Sequence, residues 1–338
     1  MCFAIAIVSP AAVVAAVVWN APPVTAPPAQ ADLPPIQPLA PPDAGTGSLP
    51  KGPLNVYAND MSGVVPCPLC NLPPRVYVPN SDAGTVDVID PRTFKVIDTY
   101  SVGQIPHHIT PSWDMRELYV ENEGSSSLTV LDIHTGKPVR TISIPFPYNL
   151  YFTPDGTKAI DVVERQMKIQ FRDPHTWKLI REVPIPWPGA DHLDFSADGS
   201  YMLISTEYSG IVAKVDVVHM KLAGYVNVGG LPIDVKVSPD GSVFYVTNQG
   251  SDGVSIDFTT RKVVTKWVIP GGGSPDMLQL NPDGTQLWAS GRYNATVYVI
   301  STVTGQVLAR IRVGAQDHGL TYFPNVGLHS IGHNGVYR

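Results

Sequence analysis

Histidine and aspartate recur at one position of a repeated sequence unit, and these residue types can bind a transition metal. The unit is marked by a turn aspartate about every 42 residues, a period typical of repeat proteins. The segments that lead into the turns read Pro106-His107-His108, Pro147-Tyr148-Asn149, Ala190-Asp191-His192, Pro232-Ile233-Asp234, Pro275-Asp276-Met277 and Asp317-His318-Gly319. Neutral imidazole favours copper, zinc, iron or nickel over magnesium or calcium. The predicted metal ligands, with copper or zinc as the metal, are therefore His107, His108, His192 and His318.

Two alternatives to a metal site remain open for these segments. Together with Asp191, Asp234 and Asp276, the histidines could line a site for an organic ligand without metal. They could also be structural and hydrogen-bond only to backbone carbonyls. Because neighbouring residues of a strand point in opposite directions, only one of His107 and His108 is expected to face the interior.

Charged residues interrupt a second repeated position, between the second and third strands of each unit. Three units have Asn there, and the other three have Glu164-Arg165, Glu207-Tyr208 and Arg292-Tyr293. Glu164 and Glu207 are the catalytic candidates, because a carboxylate can act as general base or accept a proton from metal-bound water. Arg165 and Arg292 could bind an anionic ligand. Solvated loop charges are the alternative.

The elements that must position these residues are short strands. The most complete unit predicts strands at 234–238, 243–247, 253–258 and 263–269, rich in Val, Ile, Tyr and Thr and separated by Gly, Asp, Asn and Ser. No segment after residue 50 has the apolar spacing of a helix. A four-stranded antiparallel meander with this period predicts an all-β fold, the blades of a β-propeller. The first strand of each blade lies innermost, so the metal and ligand candidates are expected at one mouth of a central channel.

The number of second strands predicts seven blades. These strands are expected at 75–79, 117–121, 158–162, 201–205, 243–247, 286–289 and 328–332. Residues 54–59 could supply an outer strand that the last blade lacks. Ring closure by strands from both termini would then remove an exposed sheet edge.

One tetrapeptide connects the repeat with a known family. Tyr245-Val246-Thr247-Asn248, echoed in Tyr119-Val120-Glu121-Asn122 and Tyr77-Val78-Pro79-Asn80, resembles the signature of the YVTN-repeat (YncE-like) β-propellers of exported bacterial type. The similarity covers roughly residues 54 to 338. It implies the fold, whereas propellers serve many unrelated functions. Proteins of this kind include surface and periplasmic binding proteins, lactonases and the propeller domains of haem or copper redox enzymes.

The N-terminal segment predicts export. Residues 2–19 are apolar and uncharged, and Ala29-Gln30-Ala31 fits a signal-peptidase site. We therefore expect an export signal over 1–31, a Pro-rich tether over 32–53 and the propeller over 54–338, in a secreted, periplasmic or cell-surface protein. An uncleaved N-terminal anchor is the alternative, and it would be the protein's one association with a membrane.

The cysteines and the net charge limit which cofactors and partners we expect. Cys67 and Cys70 predict a local disulfide, with a redox-active or metal-binding pair as the alternative. Asn71 stands where a covalent haem motif needs His, which argues against attached haem. The net charge of −6 without a basic stripe argues against nucleic acid as a partner. No phosphate-binding glycine loop is present, so no nucleotide is expected.

These features favour an exported binding module. Its histidine- and aspartate-lined channel mouth would bind a transition metal, a small ligand or a protein partner. The alternative is a metal-dependent enzyme of the lactonase-like hydrolase or copper-oxidase type that uses the same mouth.

Overall fold

The computed structural model describes residues 55–60, 69–237, 241, 244–249, 255–257, 262–265, 275–333 and 336–337. The predicted export segment, the tether and Cys67 lie outside these residues. The described chain is all-β, with short 3₁₀ helices at Leu69–Asn71, Glu164–Gln166 and Glu207–Ser209. None of the helices in this part of the chain has the length and apolar character to cross a membrane.

The strands are numbered in chain order. The first thirteen are β1 (Arg75–Asn80), β2 (Thr85–Asp90), β3 (Lys95–Ser101), β4 (Pro106–Pro111), β5 (Glu117–Asn122), β6 (Ser127–Asp132), β7 (Pro138–Ser143), β8 (Asn149–Phe152), β9 (Ala159–Val163), β10 (Lys168–Arg172), β11 (Leu179–Pro184), β12 (Ala190–Phe195) and β13 (Tyr201–Thr206). The next thirteen are β14 (Ile211–Asp216), β15 (Lys221–Asn227), β16 (Leu231–Val237), β17 (Phe244–Gln249), β18 (Ser255–Asp257), β19 (Lys262–Thr265), β20 (Pro275–Leu280), β21 (Gln286–Gly291), β22 (Thr296–Ser301), β23 (Val307–Arg312), β24 (Thr321–Phe323), β25 (Ser330–Gly332) and β26 (Val336–Tyr337).

These strands form antiparallel meanders. Four-stranded sheets have the orders β24-β1-β2-β3, β4-β5-β6-β7, β12-β13-β14-β15 and β20-β21-β22-β23. The run β8-β9-β10-β11 is extended at its β8 edge by β25 and then β26. The pairs β16-β17 and β18-β19 are separate two-stranded sheets. Repeated four-stranded antiparallel sheets with almost no helix are the architecture of a β-propeller.

Burial falls from the first strand of a sheet to the fourth. Every residue of β4 is buried, whereas nearly every residue of β7 is exposed. Between neighbouring sheets, fully buried side chains such as Tyr151, Phe171 and Phe195 form one apolar cluster. Each such ring contributes roughly 1.5–3 kcal/mol by leaving water. The first strands therefore form the interior, where the histidines of β4 and β12 lie.

Hydrogen bonds within the repeated turn hold its conformation. A Ser or Thr two residues before the turn aspartate donates its hydroxyl to the carboxylate, as seen for Ser112 and Asp114 at 2.7 Å, Thr153 and Asp155 at 2.5 Å, and Ser196 and Asp198 at 2.7 Å. The same carboxylates accept backbone N–H groups two residues later. These aspartates recur because they stabilise the turn between first and second strands. Asp240 lies outside the described residues.

The expected seventh blade does not form from the described strands. Thr321–Phe323 pairs with β1 and so acts as the first strand of the sheet that Arg75–Ser101 begins. Residues 328–332 were expected as a second strand, but Gly332 pairs with Tyr151 of β8 instead. The strand expected at 328–332 thus extends the sheet of β8 and does not begin another sheet. Residues 55–59, expected as an outer strand, form a turn.

Candidate functional site

Five histidines from distant parts of the chain form one buried cluster. His107 and His108 lie on β4, His192 lies on β12, His318 precedes β24 and His333 follows β25. None is more than 7% exposed. Ring centroids are 4.8 Å apart for His107 and His318, 4.6 Å for His108 and His318, and 6.2 Å for His108 and His192. The structure thus brings together all four histidines that the sequence singles out, and it adds His333.

A bulge lets both histidines of the adjacent pair reach this histidine cluster. The pairing of β4 with β5 shifts register between Pro106 and Ile109. A bulge changes the direction of side chains that would otherwise alternate across the strand. His107 and His108 therefore both contact His318, and the expectation that only one of them faces the interior is wrong.

His107 is held by a carboxylate and by a second imidazole. Its Nε2 lies 3.1 Å from Glu123 Oε2, and its Nδ1 lies 2.6 Å from His318 Nδ1. Glu123 is 2% exposed and also contacts Arg165, with Arg165 Nη2 2.6 Å from Oε2 and Nε 2.6 Å from Oε1. At the other end, Arg292 Nη1 lies 3.4 Å from His318 Nε2. A continuous polar chain therefore runs from Arg165 to Arg292.

His108 has one ring nitrogen bound and one without a partner. Its Nδ1 lies 2.8 Å from the carbonyl oxygen of Tyr148, so Nδ1 carries hydrogen and donates. Its Nε2 is buried and has no hydrogen-bond partner among the described residues. Burial, then the nearby His318 and His107, hold the pKa of His108 well below the ordinary histidine value. His108 is therefore neutral near pH 7, with a free lone pair on Nε2.

His333 was missed by sequence reasoning. Its ring lies 3.7 Å from that of His108 and stacks on that of His192 at 5.0 Å, measured between centroids. Both of its ring nitrogens are buried without a hydrogen-bond partner in the described part of the chain. Burial, followed by His108, His192 and His318, holds the pKa of His333 well below the ordinary value. His333 directly follows the second strand expected at 328–332, in the unit position of the repeated Asn, so the comparison of units could have indicated this residue.

His192 is close to two polar side chains. Its Nδ1 is 3.2 Å from the Tyr151 hydroxyl, and its Nε2 is 3.4 Å from Asp191 Oδ1. Asp191 is 2% exposed and accepts a hydrogen bond from Asn149 Nδ2 at 2.9 Å. Burial, and then the charges of Glu207 and Glu164, raise the pKa of Asp191 well above its ordinary value.

The other two candidate aspartates differ from Asp191. Asp234 is half-buried and forms an ion pair with Lys236 at 3.4 Å. Asp276 is placed on β20, but its side chain lies outside the described residues.

Glu164 and Glu207 lie in 3₁₀ helices at the connections after β9 and β13. Burial, and then the charges of Glu123 and Glu207, raise the pKa of Glu164 to about 7. The charges of Glu207 and Glu164 both act on Asp191, so these carboxyl groups lie near His192. Arg165 and Arg292, in the same kind of connection, contact Glu123 and His318. The catalytic and anion-binding roles of these residues stay predictions.

The side chains of the cluster do not have the geometry of a metal site in this structure. No group of three or more His, Cys, Asp or Glu side chains within the described ranges is placed to hold a metal ion. Two imidazole nitrogens bound tetrahedrally at about 2.0 Å from zinc are about 3.3 Å apart. The 2.6 Å between His107 Nδ1 and His318 Nδ1 would therefore have to widen.

The remaining histidines and cysteines lie elsewhere. His134, His175 and His219 are exposed, and each donates its backbone N–H to a preceding turn aspartate. His329 is half-buried and stacks on Trp113. Cys70 is disulfide-bonded. Its predicted partner Cys67 lies outside the described residues.

The sheets and their buried inner strands define a β-propeller protein. Residues 56–175 match the model of the YNCE-like beta-propeller family, which confirms the resemblance of this chain to that family. No curated protein matches the chain.

Solved structures are similar in fold. The dihydro-heme d1 dehydrogenase NirN, determined in complex with DHE, is 15% identical with a TM-score of 0.50, over 81% of this chain and 83% of that one. A protein of unknown function from Bacteroides caccae is 11% identical with a TM-score of 0.50, over 75% of this chain and 99% of that one. At these identities the similarity concerns the fold alone.

Proposed function

We propose that this protein is an exported β-propeller that binds a transition-metal ion, copper or zinc, among the five imidazoles of the histidine cluster. The observation that carries the proposal is the convergence of His107, His108, His192, His318 and His333 in the buried interior. Histidine is the commonest metal ligand in proteins, and imidazole suits copper and zinc.

The protonation of the cluster supports metal binding. A metal ion needs the neutral form of imidazole. Burial is the first cause that holds the pKa of His108, His318 and His333 below the ordinary value. In each case the charge of a neighbouring histidine is the next cause. These rings are therefore neutral near pH 7, and His108 and His333 offer lone pairs without first losing a proton.

Unpartnered nitrogens give a second argument. A buried polar atom without a hydrogen bond costs about 1–3 kcal/mol. His108 Nε2 and both nitrogens of His333 are such atoms among the described residues. A metal ion bound to them would remove this cost. The hydrogen bond from His108 Nδ1 to the Tyr148 carbonyl also resembles the outer contacts that orient histidine ligands in metal sites.

We further propose that the sheets close into a ring of six blades. The described strands form six groups: five sheets with four or more strands and the two pairs β16-β17 and β18-β19, which together make one blade. Pairing of β24 with β1 joins the two ends of the repeat region in one sheet. A closed ring would deliver single histidines from separate blades to one axis.

Export and tethering remain part of the proposal. The disulfide at Cys70 supports an oxidising compartment, and we propose Cys67 as its partner. The segment 1–31 would direct export, and 32–53 would hold the propeller away from a surface. The mouth beside the histidine cluster is the surface proposed for a protein partner or small ligand.

A metal-dependent enzyme, of the lactonase-like hydrolase or copper-oxidase type, is the second candidate. It is favoured by Glu164, because a carboxyl group whose pKa is about 7 can accept and return a proton at neutral pH. In that case Glu164 and Glu207 would act beside the metal, and turnover of a lactone or a reduced substrate would be lost in Glu207→Gln.

The proposal is tested by thermal unfolding of untagged protein with and without added copper or zinc. Binding to the folded state raises the melting temperature. We expect this rise in the wild type and in His134→Ala, whose histidine is in an exposed turn, and its loss in His108→Ala and His192→Ala. A rise that survives both interior substitutions, or is lost in His134→Ala, would place the metal elsewhere.

A further inference from the structure

We propose that Glu123, held by Arg165, is a positioning residue that fixes the tautomer of His107, so that Nδ1 of this ring faces the interior of the histidine cluster as a metal ligand. The inference rests on the proposed metal binding.

The carboxylate of Glu123 is fixed from one side by a guanidinium. Arg165 Nη2 and Nε lie 2.6 Å from Oε2 and Oε1 of Glu123, one nitrogen against each oxygen. The Nη2 contact is a hydrogen bond and the Nε contact is an ion pair, and together they hold the carboxylate in place. Glu123 is 2% exposed, whereas the Arg165 side chain is 31% exposed.

This fixed carboxylate determines which nitrogen of His107 carries hydrogen. An ionised carboxylate only accepts hydrogen bonds, so His107 Nε2, 3.1 Å from Glu123 Oε2, must donate. In a neutral ring the other nitrogen, Nδ1, is then an acceptor with a free lone pair. That atom is the one that faces His318.

The contact between Arg292 and His318 is consistent with this tautomer of His107. A guanidinium only donates, so Arg292 Nη1, 3.4 Å from His318 Nε2, makes Nε2 the acceptor of that ring. His318 then carries hydrogen on Nδ1 and donates it to His107 Nδ1 across 2.6 Å. A metal ion bound to His107 Nδ1 would replace this hydrogen bond.

Glu123 and Arg165 occupy the same position in adjacent sequence units, since 42 residues separate them. The residues at this position, one after the repeated Asn, are Ser81, Glu123, Arg165, Tyr208, Gln249 and Tyr293. No residue type is shared by most units at this position, so the repeat requires neither the acidic residue nor its basic partner. Their pairing beside a buried histidine therefore indicates a site.

The test compares Glu123→Ala with Glu117→Ala. Glu123→Ala removes the acceptor of His107 Nε2, the oxygen Oε2 that also accepts from Arg165 Nη2. The ring is then no longer held with hydrogen on Nε2, and the form with hydrogen on Nδ1 becomes populated. Glu117 pairs with Arg140 at 2.5 Å on the surface, so Glu117→Ala removes an arginine–glutamate pair far from the cluster.

Two readouts separate this inference from the proposed function. Nitrogen-15 NMR of the metal-free protein reports the His107 tautomer, and competition with a chromophoric chelator reports copper or zinc affinity. We expect the tautomer with hydrogen on Nδ1 to appear and the affinity to fall about 10- to 100-fold in Glu123→Ala, with Glu117→Ala unchanged in both. An unchanged tautomer overturns the inference, even where metal binds. A wild type that binds neither copper nor zinc overturns the proposed function and the ligand role of His107, while a changed tautomer in Glu123→Ala would still establish Glu123 as the group that orients the ring.

Discussion

His107 Nδ1 and His318 Nδ1 lie 2.6 Å apart although 211 residues separate them in the chain. Because imidazoles this close must share a hydrogen bond or a ligand, the contact ties β4 to the segment before β24. The same two histidines are linked outward to Glu123 and Arg292. The contact places the proposed metal site where the N-terminal and C-terminal strands of the repeat region meet.

His333→Ala is expected to weaken copper or zinc affinity by roughly tenfold or more, because it removes two unpartnered ring nitrogens from the cluster. A chelator competition titration measures the change. His219→Ala, which alters an exposed turn histidine, serves as the control and should match the wild type. Equal affinity in His333→Ala and wild type would exclude His333 as a ligand.

Gly319→Ala is expected to displace His108. A Cβ at this position would overlap the His108 ring and lie 3.0 Å from the His107 carbonyl oxygen. We expect weaker metal affinity together with a lower melting temperature. Wild-type affinity in this variant would show that the position of His108 does not matter for binding.

Asp161 should make the protein less stable as the pH rises. Burial raises the pKa of this carboxyl group from the ordinary 3.8 to about 8, opposed by the charges of Arg172 and Lys168. Between these pH values the folded chain keeps a proton that the unfolded chain has lost. The free energy of unfolding therefore falls by up to about 1.4 kcal/mol per pH unit from pH 4 to pH 8 and levels off above.

Asp161→Asn removes this titration, so urea unfolding across pH 4 to 8 should show a shallower decline. Part of the slope remains, because burial also raises the pKa of the neighbouring Glu121. Asp82→Asn, in an exposed turn, should keep the wild-type slope. A decline that is as steep in Asp161→Asn as in the wild type would assign the pH dependence to other groups.

Phe171→Ala is expected to lower the free energy of unfolding by about 3–5 kcal/mol, since the ring is fully buried between sheets and its loss leaves a cavity. Urea denaturation measures this change. The matched surface change Val139→Ala, at a side chain 58% exposed on β7, should stay within about 0.5 kcal/mol of the wild type. Similar losses for both would contradict the proposed packing.

The features that recur in every repeat unit could be predicted from the sequence. The turn aspartates, the four-stranded units and the convergence of His107, His108, His192 and His318 all follow from comparing units, because equivalent positions in a repeat occupy equivalent places. The β4 bulge could not be predicted, since it depends on pairing with β5. It decides whether one or both adjacent histidines point inward.

Two residues of the candidate site, His333 and Glu123, escaped prediction because their roles depend on how the sheets pair. The segment after β24 does not continue as a new sheet, because β1 already occupies the second-strand position beside β24. His333 is therefore free to enter the interior. Glu123 was overlooked beside the repeated Asn122, although its partner Arg165 lies one unit further along the chain.

X-ray absorption spectroscopy of protein loaded with copper or zinc tests metal binding by the histidine cluster most directly. We predict uptake of a metal ion whose nearest shell is imidazole nitrogen at about 2.0 Å. We also predict that this shell is lost in a protein carrying His107→Ala, His108→Ala and His333→Ala. No uptake, or a nearest shell of oxygen or sulfur in the wild type, would contradict metal binding by these imidazoles.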